Sequence, residues 1–330
     1  MGASLVATAA AKPASIGPTE VLIGIKAIAI NPADYKMADQ GHRVTAWPLV
    51  PGLDGAGIVE AVGDQVKRVA LGDQVLALFT PGDRAGSYQS FAVVQESAVA
   101  KIPPTWALEE AATLGVCYLT AVMALGIGLK APLPFLQGGP TTGLRPSSVL
   151  ILGGSSAVGA ATIQLMRLSV PECTILATSS SRHHAHLVNS LGVDRAFDRN
   201  SVSLVTDVKS ATPDSKGVDA IIDAVGAGAT ERHVFETFDV TGPKKYAQVW
   251  TGDEEVRPPA GVDSVLFRGR DLPQLPGNEN IMQALEGLLE RGTYKLPLPL
   301  NRVGHRLEGL RKGLELMRQG VSGEKLVATL

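Results

Sequence analysis

Cysteine is scarce in this sequence. Cys117 and Cys173 are the only two among 330 residues, too few and too far apart for a disulfide scaffold or a four-cysteine zinc site. Reduced thiols in a cytoplasmic protein are therefore expected. Neither sign of charge dominates: the formal net charge is −2, which excludes a general attraction to nucleic acid or to an anionic membrane. The N-terminus lacks a basic segment ahead of a long apolar run and reads as a poor secretory signal. It begins Met-Gly, but Val6 stands where a myristoylation signal has Ser or Thr. One uncharged apolar run, 111–129, is long enough to cross a bilayer. It contains three glycines and two threonines, and is read as a buried helix running into a loop. No repeat of solenoid length is present.

What remains is a globular composition, 45% hydrophobic and 19% charged, with length enough for two domains. The first hundred residues are β-rich. Strand patterns at 21–30, 55–62, 73–79 and 89–94 are separated by turn signals such as Asn31-Pro32, Pro51-Gly52, Gly63-Asp64 and Gly72-Asp73. The spacing predicts a helix over 108–125 and a Pro/Gly-rich loop over 126–146. From Ser147 strand and helix alternate: strands at 148–153, 174–179, 194–198, 218–226, 244–252 and 264–269, helices at 156–169, 183–192 and 231–238. Such alternation implies a mostly parallel sheet covered on both faces. Two amphipathic helices, 280–292 and 305–320, and a strand at 326–330 complete the chain.

The strand over 148–153 runs into Gly153-Gly154-Ser155-Ser156-Ala157-Val158-Gly159, with a helix at once behind it. Glycines in such a turn let backbone approach a pyrophosphate, whose charge meets the N–H groups of the helix start. Ser156 stands where the usual fingerprint has its middle glycine. A tight turn that binds nothing is the alternative, and the βα context favours the dinucleotide. The second strand is more specific. An NAD site ends it in Asp or Glu, for the ribose 2′-hydroxyl. Here the segment is Thr178-Ser179-Ser180-Ser181-Arg182-His183-His184, without an acid. Ser179, Ser180 and Arg182 suit a 2′-phosphate and favour NADPH, while Ser180 or Ser181 also serves as a helix N-cap. Val225 and Gly226 end a central strand where an open sheet binds its ligand, and Val249, Trp250 and Thr251 end the next.

The N-terminal segments Asn31-Pro32-Ala33-Asp34-Tyr35-Lys36, Pro51-Gly52-Leu53-Asp54-Gly55, Val62-Gly63, Gly72-Asp73-Gln74-Val75, Gly86-Ser87-Tyr88 and Ala111-Ala112-Thr113-Leu114 occur in order ahead of the dinucleotide turn. Together they resemble the medium-chain dehydrogenase/reductase superfamily over nearly the whole chain. Segments 31–37, 115–129 and 153–157 resemble fungal trans-acting enoyl reductases of polyketide pathways, with quinone oxidoreductases the nearest alternative. The resemblance implies an α/β protein: a GroES-like β-rich catalytic domain over 1–110 and 273–330, and a Rossmann doubly wound cofactor domain over 111–272. It places the Asn-Pro-x-Asp-x-Lys segment, including Asn31, at the nicotinamide edge. Lys36 is then the first candidate proton donor and Tyr35 the second, against the alternative that Lys36 is an ordinary exposed lysine. Asp34 reads as a structural acceptor. Thr120 falls in a Thr-Ala pair near the nicotinamide, and Lys325 near the cofactor or on a solvated strand end. Tyr88 and Phe91 line a pocket or belong to the barrel core. Relatives open with a further strand, for which 4–8 is a shortened equivalent unless that strand is missing.

Zinc-dependent members carry a cysteine near 31–34 and a histidine at position 53; here the latter is Leu53, which cannot ligate a metal. The group His183, His184 and His186 reads as a solvated helix start, so no metal is expected. The implied reaction is zinc-free reduction of an activated C=C bond by NADPH. The substrate is a small or acyl-carrier-bound enoyl compound, supplied by a partner polyketide synthase. A redox-inactive NADPH-binding partner or cyclase is the other class of reading. Arg302, His305, Arg306, Arg311 and Lys312 would suit an acidic carrier, but Glu308 and Glu315 among them favour a plain solvent face. The resemblance leaves monomer and homodimer open.

Overall fold

A computed structural model describes residues 4–252 and 255–330. The chain falls into two compact units, Met1–Val116 with Ile281–Leu330, and Cys117–Asn280. The junctions expected at 110/111 and 272/273 lie at 116/117 and 280/281.

The first unit starts with β1 (Glu20–Ala29), in which eight of ten positions are buried, as expected of a strand covered on both sides. Asn31-Pro32 is not a free turn but a helix start. Asn31 is the N-cap of α1 (Pro32–Gln40), Pro32 occupies the first turn and Gly41 closes the helix in the left-handed region. Proline is tolerated there because the first N–H groups have no intrahelical partner. β2 (Asp54–Val62), β3 (Gln74–Leu78), β4 (Phe91–Gln95) and β5 (Val99–Lys101) follow, then α2 (Leu108–Ala111); α3 (Gly115–Met123) belongs to the second unit from Cys117 on. The helix does not stop where glycine content placed a loop; a π-helical stretch carries it through Ala124–Leu129. The whole Leu108–Leu129 helix is apolar and long enough to cross a membrane, and 72% of its most apolar window is buried inside the protein.

The second unit is built on a parallel sheet. Its elements are β6 (Ser148–Leu152), α4 (Ala157–Ser169), β7 (Thr174–Ser179), α5 (His184–His186), β8 (Arg195–Asp198), α6 (Leu204–Ser210), β9 (Ala220–Asp223), β10 (Lys245–Val249) and β11 (Asp263–Phe267). The strand order is β11-β10-β9-β6-β7-β8, all pairs parallel. This is the doubly wound dinucleotide topology, whose order reverses between β6 and β9 and leaves a crevice at their carboxyl ends. Both strands are buried at every position. The helix expected over 231–238 is a 3-10 turn, Arg232–Thr237.

The chain then returns to the first unit with α7 (Ile281–Glu290), β12 (Leu300–His305), α8 (Arg306–Gln319) and β13 (Lys325–Thr329). The order there is β12-β13-β1-β2-β3-β5, with β4 on β1. β13 pairs antiparallel with β1 and parallel with β12, so it lies inside the sheet. Residues 4–8 form no strand. The Leu5 carbonyl accepts from Arg311 of α8, and the Leu5 side chain packs on the barrel core. Tyr88 also packs against that core, partly buried.

Candidate active site

In the second unit, β6 gives way to Gly153, which takes φ +76°, a left-handed conformation that favours glycine. The turn is stitched by Ser156 N–H to the Gly153 carbonyl at 2.8 Å and Gly154 N–H to the Thr178 carbonyl at 2.8 Å. Ser156, the departure from the glycine fingerprint, is the N-cap of α4: its Oγ accepts from Gly159 N–H at 3.0 Å. The missing glycine is thus replaced by a capping hydroxyl. Gly159 is required by contact, because a Cβ there would lie 2.3 Å from the Gly153 carbonyl oxygen. The first-turn N–H groups of Ala157 and Val158 have no intrahelical acceptor, and they form the positive end of a 13-residue helix. This cradle fits a pyrophosphate.

β7 ends beside it. Ser179 is buried, and its Oγ donates to the Ser180 carbonyl at 3.1 Å. Ser180 precedes the 3-10 turn Ser181–His183 as its N-cap. Arg182 is exposed, and its Nε donates to Nε2 of His183 at 3.0 Å. Burial first, then Arg182, His186 and His184, push the His183 imidazole below its usual range. Arg199 escaped the sequence reading. Its backbone N–H donates to the Ser179 carbonyl at 3.1 Å, and its side chain is exposed. Asp198 is held low by the backbone N–H of Asn200 and, among weaker causes, by Ser181.

Across the sheet, Val225 is 45% exposed at the end of β9, and its Cγ1 lies 2.5 Å from where a Cβ on Gly153 would stand. Beyond β10, Trp250 N–H donates to the Phe267 carbonyl at 3.1 Å, and the Arg268 guanidinium stacks 4.6 Å from the Trp250 ring. Gly226, Val249 and Thr251 flank these residues at the same sheet edge. Thr120 lies half-buried on α3.

The first unit holds a buried polar cluster around Asn31. Asn31 Nδ2 donates to Asp54 Oδ2 at 3.0 Å, Lys325 Nζ donates to Asn31 Oδ1 at 2.5 Å, and Lys325 lies 3.7 Å from Asp54 Oδ2. Asp54 Oδ1 accepts from Val116 N–H at 2.7 Å. Lys325 is only 5% exposed, so it is not a solvated strand end. Burial raises the Asp54 carboxyl, with Lys325 the foremost opposing influence. Asp34 is, as expected, a structural acceptor: its Oδ2 takes the Asn31 N–H at 2.8 Å. Its Oδ1, Ser87 Oγ and the Tyr88 hydroxyl are buried without a hydrogen bond of ordinary geometry, although Asp34 and Tyr88 are close enough to perturb each other. Lys36 is 6% exposed and engaged, which removes the reading of an ordinary surface lysine. Tyr35 beside it is half-buried.

The zinc-ligand positions do not fit a metal. Leu53 offers hydrocarbon, and the oxygens of Asn31 and Asp54 already face the Lys325 ammonium. Among the described residues no three His, Cys, Asp or Glu side chains gather as a metal site.

The chain matches the alcohol dehydrogenase GroES-like domain over residues 17–104 and the zinc-binding dehydrogenase family over residues 157–266. It is 30% identical over 316 residues to the trans-enoyl reductase himH of Aspergillus japonicus, spanning 93% of this chain and 89% of that protein. It is also 30% identical over 345 residues to lovC of Aspergillus terreus, the enoyl reductase component of lovastatin nonaketide synthase, spanning 94% and 89%. The fold is that of the CurK enoyl reductase crystal structure, with a TM-score of 0.71 at 21% identity over 97% of this chain and 93% of that one. An alcohol dehydrogenase superfamily protein from Novosphingobium aromaticivorans shares it, with a TM-score of 0.77 at 22% identity over 98% and 95%. The chain belongs to the medium-chain dehydrogenase/reductase superfamily of oxidoreductases. Within it, its relatives include fungal proteins named as trans-enoyl reductases.

Proposed function

We propose that this protein is a zinc-independent, NADPH-dependent enoyl reductase acting in trans on a substrate carried by a polyketide synthase. The observation that carries the cofactor choice is the end of β7, where Ser179, Ser180 and Arg182 occupy the place of an acid. Cations and hydroxyls there favour a 2′-phosphate over a bare ribose. The glycine turn and Ala157 and Val158 take the pyrophosphate, and Val225, Gly226 and Val249, Trp250 and Thr251 line the crevice. A bound reduced nicotinamide supplies a hydride to the β-carbon of an activated C=C bond. The chain's own part is to hold the dinucleotide and to deliver a proton to the α-carbon. Lys36 is assigned that proton, with Tyr35 its neighbour, on the strength of the family resemblance and the burial of Lys36. The relative named as a component of a nonaketide synthase supports a carrier-bound substrate. Both cysteines are free and buried, in keeping with a reducing, cytoplasmic setting.

The test is cofactor consumption with enoyl thioesters, free enones and quinones as acceptors. Turnover of enoyl thioesters with NADPH is expected; binding of NADPH without turnover of any acceptor would leave the redox-inactive alternative standing. Arg182→Ala is expected to raise the KM for NADPH about tenfold and leave that for NADH unchanged, since one charge-assisted contact is lost. Equal effects on both cofactors would contradict the 2′-phosphate assignment. Lys36→Met is expected to lower kcat about 10²-fold with NADPH affinity retained, the low end for loss of a general acid. An unchanged kcat would remove Lys36 from the chemistry.

A further inference from the structure

Asp223 ends the central strand β9 and is fully buried. A carboxylate costs several kcal/mol to bury unless its lone pairs are satisfied. Here they are satisfied by one turn and one hydroxyl. Oδ1 accepts from Val225 N–H at 3.1 Å and Ala227 N–H at 2.9 Å; Oδ2 accepts from Gly228 N–H at 2.8 Å and from the Tyr246 hydroxyl at 2.7 Å. Gly228 fits under that hydroxyl because it has no side chain, as a Cβ would lie 2.6 Å from the Tyr246 oxygen.

A turn alone does not require this arrangement, since Asn, Ser or the backbone itself supplies acceptors for turns at lower cost. What the carboxylate fixes is the residue in the middle. Val225 is bound by its N–H to Asp223, yet its side chain reaches out and rests on Gly153, the first glycine of the β6–α4 turn. The carboxylate therefore sits beneath a side chain that joins the ends of β6 and β9, at the crevice where the strand order reverses.

We infer that Asp223 is a positioning residue for the dinucleotide: through the Val225–Gly228 turn it holds Val225 against Gly153 and so keeps the crevice in its binding shape before cofactor arrives. It does not touch the cofactor. The inference rests on the reading that the second unit binds a nicotinamide dinucleotide. Pre-forming a site lowers the ordering cost of binding, so loss of the clamp appears in affinity while a correctly bound complex still reacts.

Asp223→Asn keeps two acceptor bonds but turns an amide NH2 toward Gly228 N–H or Tyr246. Titration of NADPH and NADH against the full chain, with steady-state kinetics, is the test. For Asp223→Asn the NADPH Kd and KM are expected to rise about tenfold, with kcat at saturating NADPH within about twofold. Tyr246→Phe, which removes one bond and keeps the ring, is expected to raise Kd about threefold, and it carries the test if the Asn variant fails to fold. Val225→Ala is expected to weaken binding as well, and the Asp223→Asn/Val225→Ala double variant to be no weaker than the worse single one, because both act through the same contact. Unaltered NADPH affinity in folded Asp223→Asn and Tyr246→Phe proteins overturns the inference, even if their melting points fall. Strictly additive losses overturn the route through Val225. If the unaltered chain binds neither nucleotide, the dinucleotide reading falls and takes this inference with it, an outcome distinct from both.

Discussion

Replacing Lys325 by Met is expected to destabilise the first unit by about 3–5 kcal/mol, the usual result of leaving a buried charge without its partner. Met has the length of the lysine stem but no charge, so Asp54, fully buried, would retain only Asn31 Nδ2 and Val116 N–H. Lys325 is the foremost influence that lowers the Asp54 carboxyl against its burial, so without it the carboxyl is driven further up. Urea unfolding at neutral pH measures the loss. The Asp54→Asn/Lys325→Met double variant is expected to recover most of it, since both charges leave together. If the double variant is as unstable as the single one, the pairing of Lys325 with Asp54 is not what the lysine contributes.

The second large effect is a dependence on pH. The Asp34 carboxyl is pushed up to about 7, first by burial and then by Asp54, against the opposing pull of the Asn31 N–H, Lys325 and Tyr88. An unfolded Asp titrates near 3.9. Between these values the folded protein holds a proton that the unfolded chain has released, so stability falls as pH rises from about 4 to about 7 and stays low above that. A shift of about three pH units at about 1.4 kcal/mol each puts the full swing near 4 kcal/mol. Asp34→Asn cannot ionise, keeps an acceptor for the Asn31 N–H and turns an amide NH2 toward Tyr88. It is expected to remove most of that slope and to be about 3 kcal/mol more stable than the unaltered chain at pH 8. Parallel urea midpoints for the two proteins across pH 4–8 would show that Asp34 stays ionised in the fold.

Much of this architecture was legible because it is written in local signals. The alternation of apolar strands and helices from Ser147 on gives the parallel sheet, and Gly153 through Gly159 marks its first turn. The same signals misread Asn31-Pro32, since proline after Asn marks a turn and a helix start alike, and only the Asp34 acceptor three residues on separates them. The helix through Leu129 was cut short because glycine is a poor helix former in isolation, whereas here tertiary burial carries it. The polar cluster was the least visible part. Asn31, Asp54 and Lys325 are remote in sequence and meet only because β13 pairs with β1 and β2 pairs with β1 on its other side. Asp223 left one trace, a charge closing an otherwise apolar strand, Ala220–Asp223. Arg199 left none, because its relation to Ser179 depends on the register of β7 with β8.

The place of β13 inside its sheet also bears on how the molecule is made. Ribosomes add about 5–20 residues per second, so roughly a quarter of a minute to a minute separates translation of β1 from that of its neighbour at Leu326. Throughout that interval the Cys117–Asn280 segment emerges whole and can fold, while β1, paired by β4 over Glu20–Gly24, waits with its Ala27–Ala29 end unpaired on that side. The nascent chain therefore carries an incomplete barrel, open at that strand end and tethered to a finished neighbour, the kind of intermediate on which chaperones act.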